Sequence, residues 1–294
     1  MKTYFGSTQT TENYFGNIPI GDNGITKGDD PTPPVSPIDP ESISGLLIYA
    51  DAVRSAVYTS GTEVTGVQNR GSLGGNFNPY PAPGGFNPAL VANFLKGSGS
   101  TKYFEFKPNE TNTCYTLYLD TSVYGRKTTI SIAKIVSQPN FALAASPRMW
   151  NHANTSFALY EGITHPLTNN STTMDGYAFG NTVTPDNPLS SYVVGNTDYN
   201  MFAWTSEPGY VGALNSKFQT QVGNSTSATY TGAGTINPIN QYFINDCGGS
   251  TNPAGGWGGT QNHIAHMVYD SVLTEAQING IYNYYNVTRG YPMV

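Results

Sequence analysis

Charged side chains are scarce in this sequence. Asp, Glu, Lys and Arg make up 11% of the residues, against roughly 25% in ordinary globular proteins. The formal net charge is −6, and no run of Lys or Arg occurs. Because a surface that follows nucleic-acid phosphates needs clustered cations, we expect no nucleic-acid partner.

Long apolar segments and cysteines are equally few. No run of about 18 apolar residues occurs, so we expect no membrane insertion. The first residues contain one Lys and no uninterrupted apolar core, unlike a secretory signal peptide. The two cysteines, Cys114 and Cys247, stand outside any CxxC motif, and both free thiols and a disulfide remain open.

Aromatic residues, glycine and proline are abundant instead. With 21 Tyr, 13 Phe, 33 Gly and 20 Pro, the composition favours short strands joined by turns. Apolar runs and alternating patterns predict strands at 43–52, 114–120, 128–136, 156–163, 176–183, 191–195, 201–206, 241–246 and 263–270. We therefore predict an all-β fold, a jelly-roll β-sandwich of two antiparallel sheets.

One helix is predicted near the C-terminus, at residues 273–286. Thr274 followed three residues later by Gln277 is a capping box, and Leu273 and Ile278 suit a hydrophobic staple. Ile and Tyr residues then recur at three- and four-residue spacing, which is typical of a helix that packs on a core. The sandwich should therefore end in a short C-terminal helix.

A proline-rich stretch divides the chain. Residues 29–42 contain five prolines, which exclude a helix or a central strand and predict an extended spacer. We therefore predict an N-terminal segment at 1–28, the spacer at 29–42 and the jelly-roll domain at 43–294. The sandwich would thus be preceded by an extended N-terminal arm.

The N-terminal segment contains a near-repeat. Tyr4-Phe5-Gly6 and Tyr14-Phe15-Gly16 lie ten residues apart. Two such short units cannot bury their own aromatics, so Tyr4, Phe5, Tyr14 and Phe15 should pack either on the rest of the chain or on a partner. We favour a partner, and interpret these four residues as anchoring residues.

Two stretches resemble one known family. "LLIYADAVRSAVYTSGTEVTGVQNRGSLGGN", with its Asp51-Ala52 pair and SGT turn, resembles the opening of concanavalin A-like lectin/glucanase domains of the laminin-G type. "HIAHMVYDSVLTEAQINGIYNYYN" resembles their closing strand, capped turn and short helix. The two matches bracket roughly residues 45–286. The family's usual Trp after the SGT turn is absent, and Val64 stands near its position.

This resemblance implies a jelly roll with a carbohydrate- or protein-binding role. Some members are glycosidases, and some bind calcium. The N-terminal near-repeat is in turn similar to the attachment segments of bacteriophage head- and tail-fibre proteins. Together the resemblances imply a virion appendage that docks by residues 1–28 and displays a lectin-like domain. Because fibre proteins are usually oligomers, the resemblance also implies a homotrimer.

Catalytic and metal-binding motifs are missing. Glycoside hydrolysis needs a pair of carboxylates across the bond, and none of the eight Glu belongs to the Glu-x-Asp-x-x-Glu pattern of laminarinase-type relatives. His263 and His266 should face opposite sides of a strand, so a shared metal is not expected. Calcium is a weak alternative at residues 28–31 and 196–200, which lack EF-hand spacing. We expect no enzyme activity and no cofactor.

Binding candidates are the aromatic residues of two loops. Phe77, Tyr80 and Phe86 belong to a proline-stiffened stretch at 76–88, and Trp257 lies in a glycine-rich stretch at 247–262. An exposed aromatic needs a stacking partner, either a sugar face with Asn donors such as Asn262 or a neighbouring subunit of a homotrimer.

Three functions follow, in order of preference. The first is a non-enzymatic bacteriophage structural and adhesion protein, located on the virion surface, that binds bacterial surface glycans. The second is a secreted or cell-surface bacterial carbohydrate-binding module. The third is a glycoside hydrolase, against which the missing carboxylate motif counts.

Overall fold

The computed structural model describes the greater part of one compact unit, residues 36–294. The described residues are 35–61, 63–79, 94–106, 117–123, 127–137, 148–153, 159–164, 175–178, 181–183, 198–208, 213–219, 227–233, 239–244 and 260–293. A second unit, residues 1–35, contains the predicted arm, which lies outside the described residues up to residue 34.

The described elements are strands, one α-helix and two short 3-10 helices, Pro40–Ser42 and Gly99–Thr101. The strands are β1 Leu46–Asp51, β2 Val57–Ser60, β3 Glu63–Gln68, β4 Asn76–Pro79, β5 Leu95–Lys96, β6 Tyr103–Phe106, β7 Leu117–Val123, β8 Lys127–Ser137, β9 Arg148–Ala153, β10 Leu159–Thr164, β11 Asp175–Ala178, β12 Asn181–Val183, β13 Asn200–Pro208, β14 Ala213–Gln219, β15 Ser227–Ala233, β16 Ile239–Ile244 and β17 Thr260–Tyr269. Helix α1 covers Glu275–Asn283 and continues into a π turn over Tyr284–Thr288.

These strands form two antiparallel sheets. The first has the order β15-β14-β13-β8-β17-β6-β5, with β1 also paired to β17, and the second has the order β12-β11-β10-β9-β16-β7-β4-β3-β2. The chain passes from one sheet to the other between β6, β7, β8 and β9, as a jelly roll requires. The predicted all-β sandwich with a short C-terminal helix is confirmed.

The two sheets enclose an inner core of aromatic and aliphatic side chains. Alternation along β6 places Phe104 and Phe106 on the inner face and leaves Tyr103 and Glu105 on the outer face. From both sheets the core includes Ile48, Val64, Val67, Phe77, Phe104, Phe106, Leu117, Leu119, Tyr242, Ile244 and Val268. Val64 is thus a core residue, 3% exposed.

A second core lies on the outer face of the first sheet, beneath α1. The predicted capping box is present: Gln277 N donates to Thr274 Oγ1 at 3.2 Å, and Thr274 N donates to Gln277 Oε1 at 2.9 Å. Ile278, Ile281 and Tyr285 from this end of the chain are buried against β1, β8, β13 and β17. The helix therefore covers part of the outer face.

The last residues of the predicted spacer belong to the compact unit. Ile38 N donates to Gly280 O of α1 at 2.8 Å, and Tyr269 donates its hydroxyl to Pro40 O at 3.1 Å. Arg54 binds Asp39 at 2.6 Å and Glu41 at 2.7 Å. We call residues 36–42 the strap. Residues 36–42 of the predicted spacer therefore belong to the compact unit that contains the sandwich.

A β-bulge alters the expected alternation in β17. Between the pairs His263–Ala133 and Ala265–Ile132 the register shifts by one residue, so His263 and His266 share the inner face. His263 packs its ring on Phe106, with centroids 5.3 Å apart, and His266 Nδ1 lies 2.8 Å from Ser131 Oγ. The expectation that these two histidines face opposite sides was wrong, because strict strand alternation does not survive a bulge.

Candidate functional site

A row of polar side chains crosses the outer face of the first sheet, at the end of β17 away from α1. Asn262 on β17 lies opposite Glu105 on β6 and opposite Lys134 on β8. Residues directly opposite one another on adjacent strands project from the same face. Glu105, Asn262 and Lys134 therefore form one continuous line.

Aromatic rings border this row. The Lys134 Nζ atom lies 5.0 Å from the centroid of the Tyr199 ring, a cation–π distance. The Tyr103 and Tyr199 rings have centroids 6.5 Å apart, and Tyr199 meets Tyr291 edge-on at 5.7 Å. We call Tyr103, Glu105, Lys134, Tyr199 and Asn262 the outer-face patch.

Asn262 is the buried centre of the patch. Its side chain hydrogen-bonds to Tyr199, and the residue is only 5% exposed. Among the described residues its Oδ1 atom accepts no hydrogen bond. A buried acceptor without a partner costs about 1–3 kcal/mol, so this oxygen calls for a donor from outside the described residues.

Burial determines the ionisation of Tyr199. Desolvation raises the pKa of its phenol well above the ordinary value, and the neighbouring Tyr103 and Tyr291 raise that pKa further. The hydrogen bond with Asn262 lowers the pKa of Tyr199, but by less than desolvation raises it. Tyr199 is therefore a neutral phenol at physiological pH, suited to packing and hydrogen bonding rather than to proton transfer.

The C-terminal residues fasten one side of the patch. Tyr199 N donates to Pro292 O at 2.7 Å, and the Tyr291 hydroxyl donates to the Lys102 carbonyl beside β6. On the other side, Lys96 Nζ lies 3.9 Å from Glu105 Oε1. These contacts hold Tyr103, Glu105 and Tyr199 on a rigid sheet, and rigid support is what a preorganised binding surface needs.

The patch combines the groups that recognise polar ring compounds. Tyr103, Glu105 and Lys134 are half-buried, which leaves part of each accessible. The half-buried Tyr103 ring offers apolar area, Glu105 offers a carboxylate and Lys134 an ammonium group. Tyr199 and Asn262, each 5% exposed, lie beneath these groups and support them. This arrangement suits binding of a hydroxyl-bearing ligand.

Only some of the residues proposed from the sequence can be placed. Phe77 belongs to β4 with its ring wholly buried in the inner core, so the expectation of an exposed loop aromatic is corrected: it alternates with exposed Asn76 and Asn78. Asn262 lies in the patch, although on a strand. Tyr80, Phe86, Trp257 and the four anchoring aromatics, Tyr4, Phe5, Tyr14 and Phe15, lie outside the described residues.

Sequence reasoning missed most of the patch. The Tyr-Phe-Glu-Phe alternation of β6 predicts that Tyr103 and Glu105 share one face, and that signal could have been used. Tyr199 and Lys134 carry no comparable signal, because their neighbours come from segments far away in the chain. In the part of the chain that the structure describes, no three His, Cys, Asp or Glu side chains gather as a metal site, and no helix is long and apolar enough to cross a membrane.

Comparison with known proteins places the fold. No protein-family model matches the sequence, and no curated protein matches it. The binding domain of Paraclostridial Mosquitocidal Protein 1 matches over 82% of this chain with a TM-score of 0.50 and 11% identity. A structure of botulinum neurotoxin type C, whose cell entry is described as dependent on two ganglioside molecules, matches over 84% with a TM-score of 0.52 and 9% identity.

The botulinum neurotoxin serotype D/C binding domain is similar in the same way, over 81% of this chain with a TM-score of 0.51 and 8% identity. This chain spans about half the length of these proteins, 52% of each. These structural similarities show a shared β-sandwich fold and nothing beyond it, because the sequence identities are so low. The function of the site must therefore be argued from the residues of this chain.

Proposed function

We propose that this protein is a non-enzymatic, lectin-like glycan-binding module, and that the outer-face patch is its binding surface. The observation that carries the proposal is the row Glu105–Asn262–Lys134 beside Tyr103 and Tyr199. A sugar ring has an apolar face that packs on aromatic rings and hydroxyls that both donate and accept hydrogen bonds. In the outer-face patch an aromatic ring surface lies next to groups that donate and accept hydrogen bonds.

Two further points support a glycan as the ligand. The scarcity of charge, 11% of all residues, leaves a surface with few ionic groups to bind strongly charged macromolecules. One structural neighbour is described as acting through gangliosides, which are glycolipids. That property belongs to the neighbour, and for this chain it adds weight to a glycan over other polar ligands.

The test is glycan binding by wild type and by Asn262→Leu. Leucine has a similar volume and removes both the Oδ1 atom, which has no donor among the described residues, and the hydrogen bond to Tyr199. We expect the variant to fold and to lose most of its signal on a glycan array. The matched control is Asn76→Leu on β4 of the other sheet, where the residue is exposed. Equal binding by all three proteins would contradict the proposal.

We further propose that the module is displayed on a bacteriophage particle as a head or tail appendage and homotrimer. Its support is the near-repeat of residues 1–28, the proline-rich stretch that follows and the similarity to fibre attachment segments. A chain lacking residues 1–28 should fold, bind glycans and fail to join particles during phage assembly. Normal incorporation would exclude the anchoring role, and a monomer by light scattering would exclude the trimer.

Absence of catalysis is part of the same proposal. Within the outer-face patch Glu105 is the one carboxylate, whereas glycoside hydrolysis needs a pair. Incubation with the glycans bound on the array should release no reducing ends. Release that is lost in Glu105→Gln would assign hydrolysis to this patch and overturn the non-enzymatic reading.

A further inference from the structure

We infer that the outer-face patch binds two adjacent sugar units of an oligosaccharide, one against Tyr103 and the next against Lys134. The inference rests on the proposed function and concerns the size of the ligand that the same site takes. Tyr103 on β6 and Lys134 on β8 are both half-buried, and both lie on the outer face of the first sheet. Strand β17 runs between them.

Tyr199 and Asn262 form the floor between these two groups. Each is only 5% exposed, and their side chains are hydrogen-bonded to each other. The centroid of the Tyr199 ring lies 6.5 Å from that of Tyr103 and 5.0 Å from Lys134 Nζ. The floor therefore supports both groups, and the contacts with a ligand come from the two sides.

The spacing of the strands sets the length of the ligand. Two strand spacings separate β6 from β8, which places the backbone positions of Tyr103 and Lys134 about 10 Å apart. One sugar ring is too short to contact both side chains in full, whereas two linked rings can contact one each.

The two sides offer different chemistry. The Tyr103 ring presents apolar area on which the face of one sugar ring packs. The Lys134 ammonium carries three N–H donors, and hydroxyl or ring oxygens of the second unit accept hydrogen bonds from it. Because that ammonium is already held over the face of Tyr199, little side-chain freedom is lost when a ligand binds.

The described surface ends on both sides of this pair. Beyond β6, β5 is the last strand of the described sheet, and there Lys96 Nζ lies 3.9 Å from Glu105 Oε1. Beyond β8, the outer-face residues Met201 and Ala203 of β13 are buried in the core beneath α1. The patch therefore offers contacts to two sugar units, and further units would extend past it.

The experiment measures affinities in solution by isothermal titration calorimetry. The ligands are glucose, galactose, mannose and N-acetylglucosamine, each as the single sugar and as linear homo-oligomers of two and four units. The series that binds best should gain about tenfold or more in affinity from one unit to two. From two units to four it should gain no more than about threefold, because a tetramer contains three pairs of adjacent units.

Two variants assign the two sides of the patch. Lys134→Met keeps an unbranched side chain against Tyr199 and removes the donors, so it should bind the single sugar as wild type does and lose the gain from the second unit. Tyr103→Leu should weaken binding of the single sugar and of the disaccharide by the same factor. Tyr58→Leu on β2 of the other sheet, where the tyrosine is 44% exposed, is the matched control and should change neither affinity.

The outcomes separate the two proposals. Equal affinity for one unit and two, a gain from two units to four well above threefold, or a second-unit gain that survives in Lys134→Met overturns the two-unit site and leaves the glycan-binding function in place. Equal weakening of the single sugar and the disaccharide in Lys134→Met also overturns it, because that result assigns the lysine a structural role. Binding of none of these sugars at any length overturns both proposals.

Discussion

At the scale of single residues, Asp51 shows how one buried carboxylate connects distant segments of the chain. Its carboxylate is fully buried and accepts hydrogen bonds from the hydroxyls of Tyr49 at 2.9 Å and Tyr285 at 2.8 Å. It also accepts from the backbone N–H groups of Val53 at 2.8 Å and Arg54 at 3.0 Å. The carboxylate thus joins the first strand to the residues that follow α1.

The substitution Asp51→Asn should destabilise the protein severely. The amide has one oxygen in place of two, and its NH2 group would face hydroxyl and N–H donors. Asp51 also forms a buried ion pair with Arg289 at 3.5 Å, and removing one partner of a buried ion pair costs about 3–5 kcal/mol. Urea unfolding monitored by circular dichroism should show that loss, while Tyr285→Phe, which removes a single donor, should cost about 1–2 kcal/mol. Equal stability of Asp51→Asn and wild type would contradict this role.

At the scale of elements, the strap and α1 depend on each other. A Cβ atom placed on Gly280 would lie 2.4 Å from Ile38 Cδ1 and 2.9 Å from Ile38 Cβ, so the strap could not stay in place beside an alanine. Glycine is otherwise unfavourable inside a helix, by about 1 kcal/mol relative to alanine. The strap is therefore the reason that a glycine is used at this position.

The effect of Gly280→Ala on the free energy of unfolding should have opposite signs in chains with and without the strap. In the full chain it should lower the free energy of unfolding, because Ile38 is displaced. In a chain lacking residues 1–42 it should raise that free energy by up to about 1 kcal/mol, because only helix propensity remains. Chemical unfolding of the full chain and of the chain lacking residues 1–42, each with and without Gly280→Ala, measures both effects. If the substitution changed the free energy of unfolding in the same direction in both chains, the packing of Ile38 on Gly280 would be contradicted.

The strap should also respond to acid. The hydrogen bond from Arg54, with further help from the Glu41 N–H and the charge of Arg54, holds the pKa of the Asp39 carboxyl below its ordinary value, although partial burial opposes this. A depressed folded pKa gives stability that is present above the unfolded value of about 3.9 and is lost as the pH falls through the folded pKa.

Wild type should therefore be more stable than Asp39→Asn near neutral pH, and the difference should vanish as the pH falls below about 3.9 toward the folded pKa. Unfolding curves of both proteins at a series of pH values measure this. Because the Asp39 side chain is 38% exposed, added salt should shrink the difference. A difference that grows on acidification would contradict the ion pair.

At the scale of the whole molecule, the body begins at residue 36. A chain lacking residues 1–35 should melt at the temperature of the full chain, because it retains every contact of the strap. A chain lacking residues 1–42 should melt several degrees lower, since it loses the Ile38, Asp39 and Glu41 contacts. Differential scanning calorimetry measures both, and equal melting of the two truncated chains would place the boundary at 43 after all.

Much of this fold could be predicted from the sequence, but little of the site. The capping box at Thr274 and the strand pattern of 128–136 are local signals, and the structure has both. The bulge that turns His263 inward and the strap on Gly280 depend on contacts between distant segments. The outer-face patch combines β6, β8, β17 and the residue before β13, so no local pattern could assemble it.

The strap has a mechanical consequence. A pull applied at residue 36 is first resisted by the Ile38–Gly280 hydrogen bond, by the ion pairs of Arg54 with Asp39 and Glu41, and by the ion pair of Arg70 with Glu41. Only after these contacts yield does the force reach the ladder between β1 and β17. A force on the N-terminal side should thus break the strap contacts before it separates β1 from β17. These contacts can form again once the force is removed.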